Sequence, residues 1–251
     1  MKEARLQKIM AVLKQQGYAK VEELAEQLGI SEVTVRRDLA FLESQGFVER
    51  KRGGAFLKNL RRDIPFFAKL GERKVEKMAI ARKAVSLLKN GQVVFASGGT
   101  TVYYTIQIID ESDLYDLTII TNSITTAWAT INLRKDITLI HTGGTVRENS
   151  FECIGGHTLE VAESIKADMY LLGVDGIDPA SGVFFSNFEE VVIGRNVIKN
   201  SSALVVVADS SKIGTIAPFK VCEVEEVDYL VTNPHAELKE FEKHGVKIIV
   251  S

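Results

Sequence analysis

The chain has 251 residues, of which 45% are hydrophobic and 25% charged, with a net charge of −2. That balance suits a folded globular chain and excludes a disordered, collagenous or disulfide-framework one. Its most apolar run, Ala203–Ala208, is far short of the roughly 18 residues a membrane span needs. The N-terminus, Met1–Leu13, is charged and lacks the apolar core of a signal peptide. Cys153 and Cys222 are too few for a framework, and His141, His157, His235 and His244 form no paired metal motif. A reducing, cytoplasmic setting without cofactor or metal is expected. Charge is unevenly spread: residues 1–62 hold 13 basic against 8 acidic groups, and the remainder holds 18 against 25. A basic head on an acidic body points to a polyanion-binding module with a different one behind it.

Helical patterns fill the first 45 residues. Leu6, Ile9, Met10 and Leu13 recur at helical spacing up to Gly17, and Val21, Leu24, Ala25 and Leu28 repeat the pattern up to Gly29. Ser31 is a natural N-cap for a third helix, with Ile30 placed to staple onto Val35. Two short helices separated by Gly29, Ile30 and Ser31 make a helix-turn-helix. On the third helix Val35, Leu39 and Leu42 share the core face. Val33, Thr34, Arg36, Arg37 and Ala40 look outward, as a helix entering a DNA major groove requires. Phe47–Arg50 reads as a strand, Lys51–Gly54 as a basic turn and Ala55–Leu57 as a returning strand, which together form a wing. The DNA-binding candidates are therefore Ser31, Val33, Thr34, Arg36 and Arg37 on the helix, with Arg50, Lys51 and Arg52 at the wing near phosphates. Residues 1–57 form this winged helix-turn-helix domain, and binding of double-stranded operator DNA by a dimer or higher symmetric assembly is expected.

Residues 58–71 read as a linker, broken by Arg61, Arg62, Asp63 and Pro65. Glu72–Leu88 reads as a helix. Seven apolar runs then alternate with helical stretches: Val93–Ala96, Leu117–Thr121, Ile137–Ile140, Met169–Gly173, Ala203–Ala208, Tyr229–Thr232 and Ile248–Val250. This pattern predicts an α/β domain over 72–251, Rossmann-like, with a mostly parallel sheet covered on both faces.

Ligands of such sheets bind beyond the carboxyl ends of the strands. The first run leads into Ser97-Gly98-Gly99-Thr100-Thr101, the second into Asn122-Ser123, and the third into Gly143-Gly144 with Arg147 close behind. The fourth leads into Asp175-Gly176 and the fifth into Asp209-Ser210-Ser211-Lys212. Glycines let backbone N–H groups approach an anion, and Arg147 and Lys212 add charge. Asp175 and Asn122 suit hydroxyls. The set fits a phosphorylated polyhydroxy effector. Ser-Gly-Gly-Thr-Thr is neither a Walker loop nor a dinucleotide fingerprint, for it lacks the Lys of one and the third Gly of the other. Taken singly, Asn122-Ser123 fits a plain helix cap, Asp175-Gly176 a tight turn and Lys212 a surface lysine.

Two stretches carry a family resemblance. Val21-x-Glu23-Leu24-Ala25-x-x-Leu28-Gly29-Ile30-Ser31-x-x-Thr34-Val35-Arg36-Arg37-Asp38-Leu39, with Leu42-Glu43, Gly46 and Arg50-x-x-Gly53-Gly54-Ala55, resembles the DeoR-type repressors of bacterial sugar metabolism. The body matches through Lys77-x-x-Ile80-Ala81, Gly99-Thr100-Thr101, Thr121-Asn122-Ser123 and Gly143-Gly144-x-x-Arg147. It matches further through Gly173-x-Asp175-Gly176-Ile177, Glu190 and Ala208-Asp209-Ser210-Ser211-Lys212. The resemblance implies a sensor domain folded like ribose-5-phosphate isomerase and the coenzyme A transferases, a sugar-phosphate effector, and Glu190 as a further effector residue. This chain departs from the family at Arg52, where His is common, at Ser97, where Asp is usual, and at Gly194, where Lys is usual. The competing readings are a sugar-phosphate isomerase with a DNA-binding head, using Glu189, Glu190, Asp175 or Lys212, and a body that binds only protein. Glu189 and Glu190 open a helical stretch, where acids favour the dipole without any catalytic role.

Overall fold

Hydrophobic spacing sets the helices of the N-terminal part, and the structure, a computed structural model, describes residues 2–16, 18–44, 48–51, 53–57 and 66–251. Contacts divide the chain into a unit of residues 1–64 and one of residues 65–251. The first contains helix α1 (Lys2–Gln16), strand β1 (Tyr18–Lys20), α2 (Val21–Leu28), α3 (Glu32–Ser44), β2 (Val48–Lys51) and β3 (Gly54–Leu57). Ile9, Leu13, Leu24, Val35, Leu39 and Leu42 are buried together with Val48 and Ala55. Each such side chain contributes roughly 1.5–3 kcal/mol when fully removed from water. Gly29 ends α2 in the left-handed conformation at φ 63°. Ser31 then caps α3, its Oγ accepting from the Thr34 amide at 3.3 Å. Ile30 packs against the same core. The helix-turn-helix and the β2–β3 hairpin are as the sequence predicts. Strand β1 is not foreseen there. It pairs antiparallel with β3, Tyr18 opposite Phe56, giving the order β1–β3–β2. A side chain at Gly54 would lie 2.5 Å from the Ala19 carbonyl, so this pairing needs glycine.

The second unit opens with α4 (Phe66–Leu70) and α5 (Lys74–Val85), shorter at both ends than the predicted helix. There follow β4 (Val93–Ala96), α6 (Thr100–Ile108), β5 (Thr118–Thr121), α7 (Ile124–Ile131), β6 (Thr138–His141) and the short pair β7 (Thr145–Val146) and β8 (Cys153–Ile154). Next come α8 (Gly156–Ser164), β9 (Met169–Gly173), β10 (Gly176–Asp178), β11 (Gly182–Phe185), α9 (Phe188–Lys199) and β12 (Leu204–Val207). The chain finishes with β13 (Phe219–Cys222), β14 (Tyr229–Thr232), α10 (Leu238–Lys243) and β15 (Lys247–Val250).

The seven predicted runs are the seven strands of one sheet, ordered β15–β14–β12–β9–β4–β5–β6. Every neighbouring pair is parallel. Strand alternation splits the core in two. Val94, Ala96, Leu171, Val205 and Val207 face Ile80, Ala81, Ala84 and Ile106 of α5 and α6. Phe95, Tyr170, Leu172 and Val206 face Ala162, Val191, Val197 and Phe241 of α8, α9 and α10. A second, antiparallel sheet, β10–β11–β13, joins this latter layer through Ile177, Val183 and Val221 and is not anticipated by the sequence reading. From β4 the chain runs outward through β5 to β6, then returns to the other side of β4 with β9. The topological switch point, where ligands of open sheets bind, therefore lies between the carboxyl ends of β4 and β9.

Candidate functional site

The outer face of α3 is built from residues that burial leaves free. Val33 is 68% exposed, and Arg36 and Arg37 are exposed beside it. Arg36 pairs with Glu32 at 2.6 Å across one helical turn, an exposed pair that holds it only weakly. Ser31 and Thr34 share a hydroxyl contact of 2.9 Å at the helix start. Arg50 begins the wing with its amide donating to Glu43 Oε1 at 2.9 Å and its guanidinium 3.6 Å from Glu43 Oε2. The Lys51 side chain and Arg52 lie outside the described residues. Sequence reading gave Asp38 no role, yet its carboxylate is wholly buried and accepts from Arg5 Nε at 2.5 Å and Nη2 at 3.1 Å. The signal was available: positions 35, 38, 39 and 42 form one helical stripe, and Asp38 is its only charged member.

At the switch point, Ser97 closes the seam between the two strands. Its Oγ accepts from the Gly173 amide at 3.0 Å, and its carbonyl accepts from Thr126 Oγ1 at 2.8 Å. Gly99 then turns at φ 95° with nothing within 4 Å of where a Cβ would stand. Thr100 and Thr101 open α6, whose first N–H groups have no partner inside the helix. Gly98 donates its N–H to Glu152 Oε1 at 2.8 Å, and a Cβ at 98 would collide with that carboxylate.

Across the seam stands Asp175. Lys69 Nζ is 3.4 Å from its Oδ1, and the Ser186 amide donates to its Oδ2 at 2.9 Å. Burial favours the neutral acid, but Lys69, the Ser186 amide and Lys212 outweigh it and hold Asp175 below the usual carboxylate range. Lys212, on the turn after β12, is pushed down by burial and by Lys69, while Asp175 and Asp209 pull it back. Lys77, 4% exposed, donates to the Lys69 carbonyl at 2.7 Å, and burial lowers it to about 8. Arg73 reaches Ser210 Oγ at 3.2 Å and Asp209 Oδ1 at 3.8 Å. Arg147 forms an ion pair with Glu190, and burial lowers its pKa.

The predicted set thus divides. Ser97, Gly98, Gly99, Thr100, Thr101, Asp175 and Lys212 come from the ends of β4, β9 and β12, and Arg147 and Glu190 join as a pair. Asn122 is buried and donates to the Cys153 carbonyl at 3.0 Å, and Ser123 caps α7. Gly143 and Gly144 follow β6, the sheet's edge strand, and Gly144 packs where a Cβ would strike Thr158 and the Ile154 carbonyl. Gly176 likewise abuts the Thr215 carbonyl. Asn122, Ser123, Gly144 and Gly176 thus make close contacts with the surrounding framework. Gly194 sits in α9 against Phe185, Val221 and Tyr170, inside the core rather than at the strand ends. Lys69, Arg73, Lys77 and Glu152 are the charged groups that the sequence reading left out. Lys69 lay in the stretch read as linker. Among the described residues, no group of three or more His, Cys, Asp or Glu is disposed to hold a metal ion.

Two family models cover the chain in the same order as its two units. A DeoR-like helix-turn-helix domain matches residues 5–61, and a DeoR C-terminal sensor domain matches residues 72–234. The chain belongs to the DeoR family of transcription regulators. The sensor match takes in the ends of β4, β6, β9 and β12. The glycerol-3-phosphate regulon repressor of Escherichia coli (strain K12) is 32% identical over 90% of this chain and 88% of its own length. The HTH-type transcriptional repressor GlcR of Bacillus subtilis (strain 168) is 30% identical over 99% of this chain and 96% of its own. These relatives are regulators and not enzymes. Ribose 5-phosphate isomerase A from Methanocaldococcus jannaschii overlays 57% of this chain and 55% of its own, with 19% identity and a TM-score of 0.42. This DeoR-family chain spans about half the length of the isomerases it overlays. Among the described residues no helix is long and apolar enough to cross a membrane.

Proposed function

We propose that the chain represses a sugar-metabolism operon and that a phosphorylated sugar or related phosphate metabolite changes its affinity for double-stranded operator DNA. Residues 1–57 bind DNA, with Val33, Thr34, Arg36 and Arg37 reading the major groove and Arg50, Lys51 and Arg52 holding phosphates. Residues 72–251 sense the effector and carry self-association into a dimer or tetramer, in the cytoplasm. The observation that supports the sensor role is the gathering of Lys69 and Lys212 around Asp175, with Lys77 bonded to the Lys69 carbonyl behind them, near the amide turn at Gly99–Thr101. Cations and amides suit a phosphate, and Asp175 suits a hydroxyl. A relative named for glycerol 3-phosphate favours the same chemical class.

The test uses an operator selected from a random duplex pool, titrated by anisotropy with and without a panel of three- to six-carbon sugar phosphates. At least one compound shifts the wild-type curve. Lys212→Met folds, binds the same operator equally well and no longer responds. A wild-type response in that variant removes Lys212 from the site, and a wild-type chain blind to the whole panel overturns the effector reading.

A further inference from the structure

The amide turn at the switch point is occupied by a group of the chain's own. Glu152 places its carboxylate on the Gly98 N–H at 2.8 Å, beside the open ground above Gly99. Burial pushes this acid up, and only the Gly98 amide, Arg147 and Ser150 pull it back. The residue before it, Phe151, is held at φ 58°, a conformation few branched or bulky side chains adopt. The residue next to the docked carboxylate thus holds a left-handed backbone conformation.

That segment also grips α4, the first described element after residues 58–65. The Phe66 amide donates to the Asn149 carbonyl at 2.8 Å, and the Phe67 ring meets the Phe151 ring edge-on at 5.3 Å. On its other side α4 holds Asp175 through Lys69, and the Leu70 carbonyl accepts from Tyr104 Oη at 2.8 Å. The same short helix is therefore fastened to the glutamate's loop and to the cationic wall.

We infer that Glu152 is a built-in stand-in for the effector's phosphate, and that its displacement by the ligand loosens α4 and so carries the signal toward the residues leading to the DNA-binding unit. This rests on the effector reading above. A phosphate on the Gly99–Thr101 amides cannot share them with a carboxylate on Gly98, because like charges at that range repel. Displacing Glu152 frees Phe151 from its left-handed conformation and withdraws Asn149 and Phe151 from α4. The coupling is a difference in affinity between the docked and undocked states, as any linkage of two sites requires.

The experiment uses the full chain in two arms. In the first, wild type, Glu152→Gln and the exposed control Glu148→Gln are titrated calorimetrically with inorganic phosphate, sn-glycerol 3-phosphate and fructose 6-phosphate. Glu152→Gln keeps an acceptor for Gly98 but loses the charge, so it binds the responding probe at least about fivefold tighter than wild type, while Glu148→Gln is unchanged. Weaker binding would mean that Glu152 contacts the ligand directly, and equal binding that it does not compete; either result overturns the stand-in role and leaves the effector reading standing. The second arm needs no ligand. Hydrogen exchange over residues 66–73 is compared in wild type, Glu152→Ala and Glu148→Ala. Glu152→Ala speeds exchange there at least about tenfold with the β4, β9 and β12 amides unchanged. Unaltered exchange in Glu152→Ala overturns the coupling to α4. A wild-type chain that binds none of the probes would sink the effector reading, and the exchange arm would still decide the clamp.

Discussion

Asp38 and Arg5, thirty-three residues apart, join α3 to α1 through two charged hydrogen bonds, with the carboxylate wholly buried. An ion pair of this kind destabilises the fold when one member is removed, because the other is left without a counter-charge. Asp38→Asn should lower the melting temperature of the N-terminal unit by about 5 °C or more, given that 1 kcal/mol moves a domain of this size by roughly 4–8 °C. Operator affinity should fall with it, since the pair fastens α3 to α1. A calorimetric scan showing an unshifted first transition would refute this.

Arg37 and Arg50 should separate when tested on DNA. Arg37 stands exposed on α3, where a lost bidentate base contact costs roughly 1–3 kcal/mol. Arg37→Ala should therefore weaken binding to a selected operator by about 5- to 150-fold and leave random duplex nearly unaffected. Arg50→Ala should weaken both and reduce the salt slope by about one ion. Equal losses on both duplexes for Arg37→Ala would reassign it to phosphate.

Gly99 tests the amide turn. Its φ of 95° and the empty space around a built Cβ allow a ligand to approach the backbone directly. Gly99→Val adds a branched side chain where the anion must sit and strains the turn. The variant should keep its cooperative unfolding, melt a few degrees lower and lose at least about tenfold in sugar-phosphate affinity. Undiminished affinity would take the turn out of the site.

Lys77 gives the sensor unit a pH dependence of predictable sign. Burial lowers it to about 8, whereas Lys in an unfolded chain titrates near 10.4. Between those values the unfolded chain binds more protons than the folded one, so this residue makes stability rise with pH. Asp209 and Glu72 moderate the shift, while Lys212 and Lys69 deepen it. Lys77→Met should be more stable than wild type at pH 7, and the gap should narrow from about pH 8 toward pH 10.4. Denaturant melts of the pair across that range decide it; a constant gap would mean that Lys77 is charged at no cost in the fold.

What was legible in the sequence follows from what each feature needs. The five inner strands of the main sheet are buried on both faces, so each must be a near-continuous apolar run, while the edge strands β6 and β15 are partly exposed and stand out by their short apolar cores alone. The α2–α3 turn announces itself through Gly29 and Ser31. Strand β1 offers only Tyr18, Ala19 and Lys20, too few residues to show a period, and exists because β3 is there to pair with it. The β10–β11–β13 sheet is hidden in the same way, by strands of three or four residues. In the site, the glycine and hydroxyl signals marked the strand ends correctly but could not say which groups face the crevice. Asn122 and Ser123 bond inward to their own framework. Lys69 and Glu152 enter from elements with no strand-end position, and only tertiary packing brings them in. The linker reading failed over 66–70 for a related reason: Phe66 and Phe67 have no helical neighbours in sequence, only Tyr103 and Phe151 in space.

The seam closed by Ser97 and Gly173 has a consequence for the order in which the protein is made. Its two sides are seventy-six residues apart, and Lys69 and Asp175 are a hundred and six apart. The first unit's pairings, by contrast, are complete once β3 has left the ribosome. At roughly 5–20 residues per second, several seconds of synthesis separate the two events. A polypeptide cut short by interrupted translation or proteolysis between β3 and β9 keeps the DNA-reading helix and lacks the crevice. Such a fragment lacks the sensor unit's strand ends, so the cell's clearance of partial chains becomes part of keeping the DNA-reading helix tied to that unit.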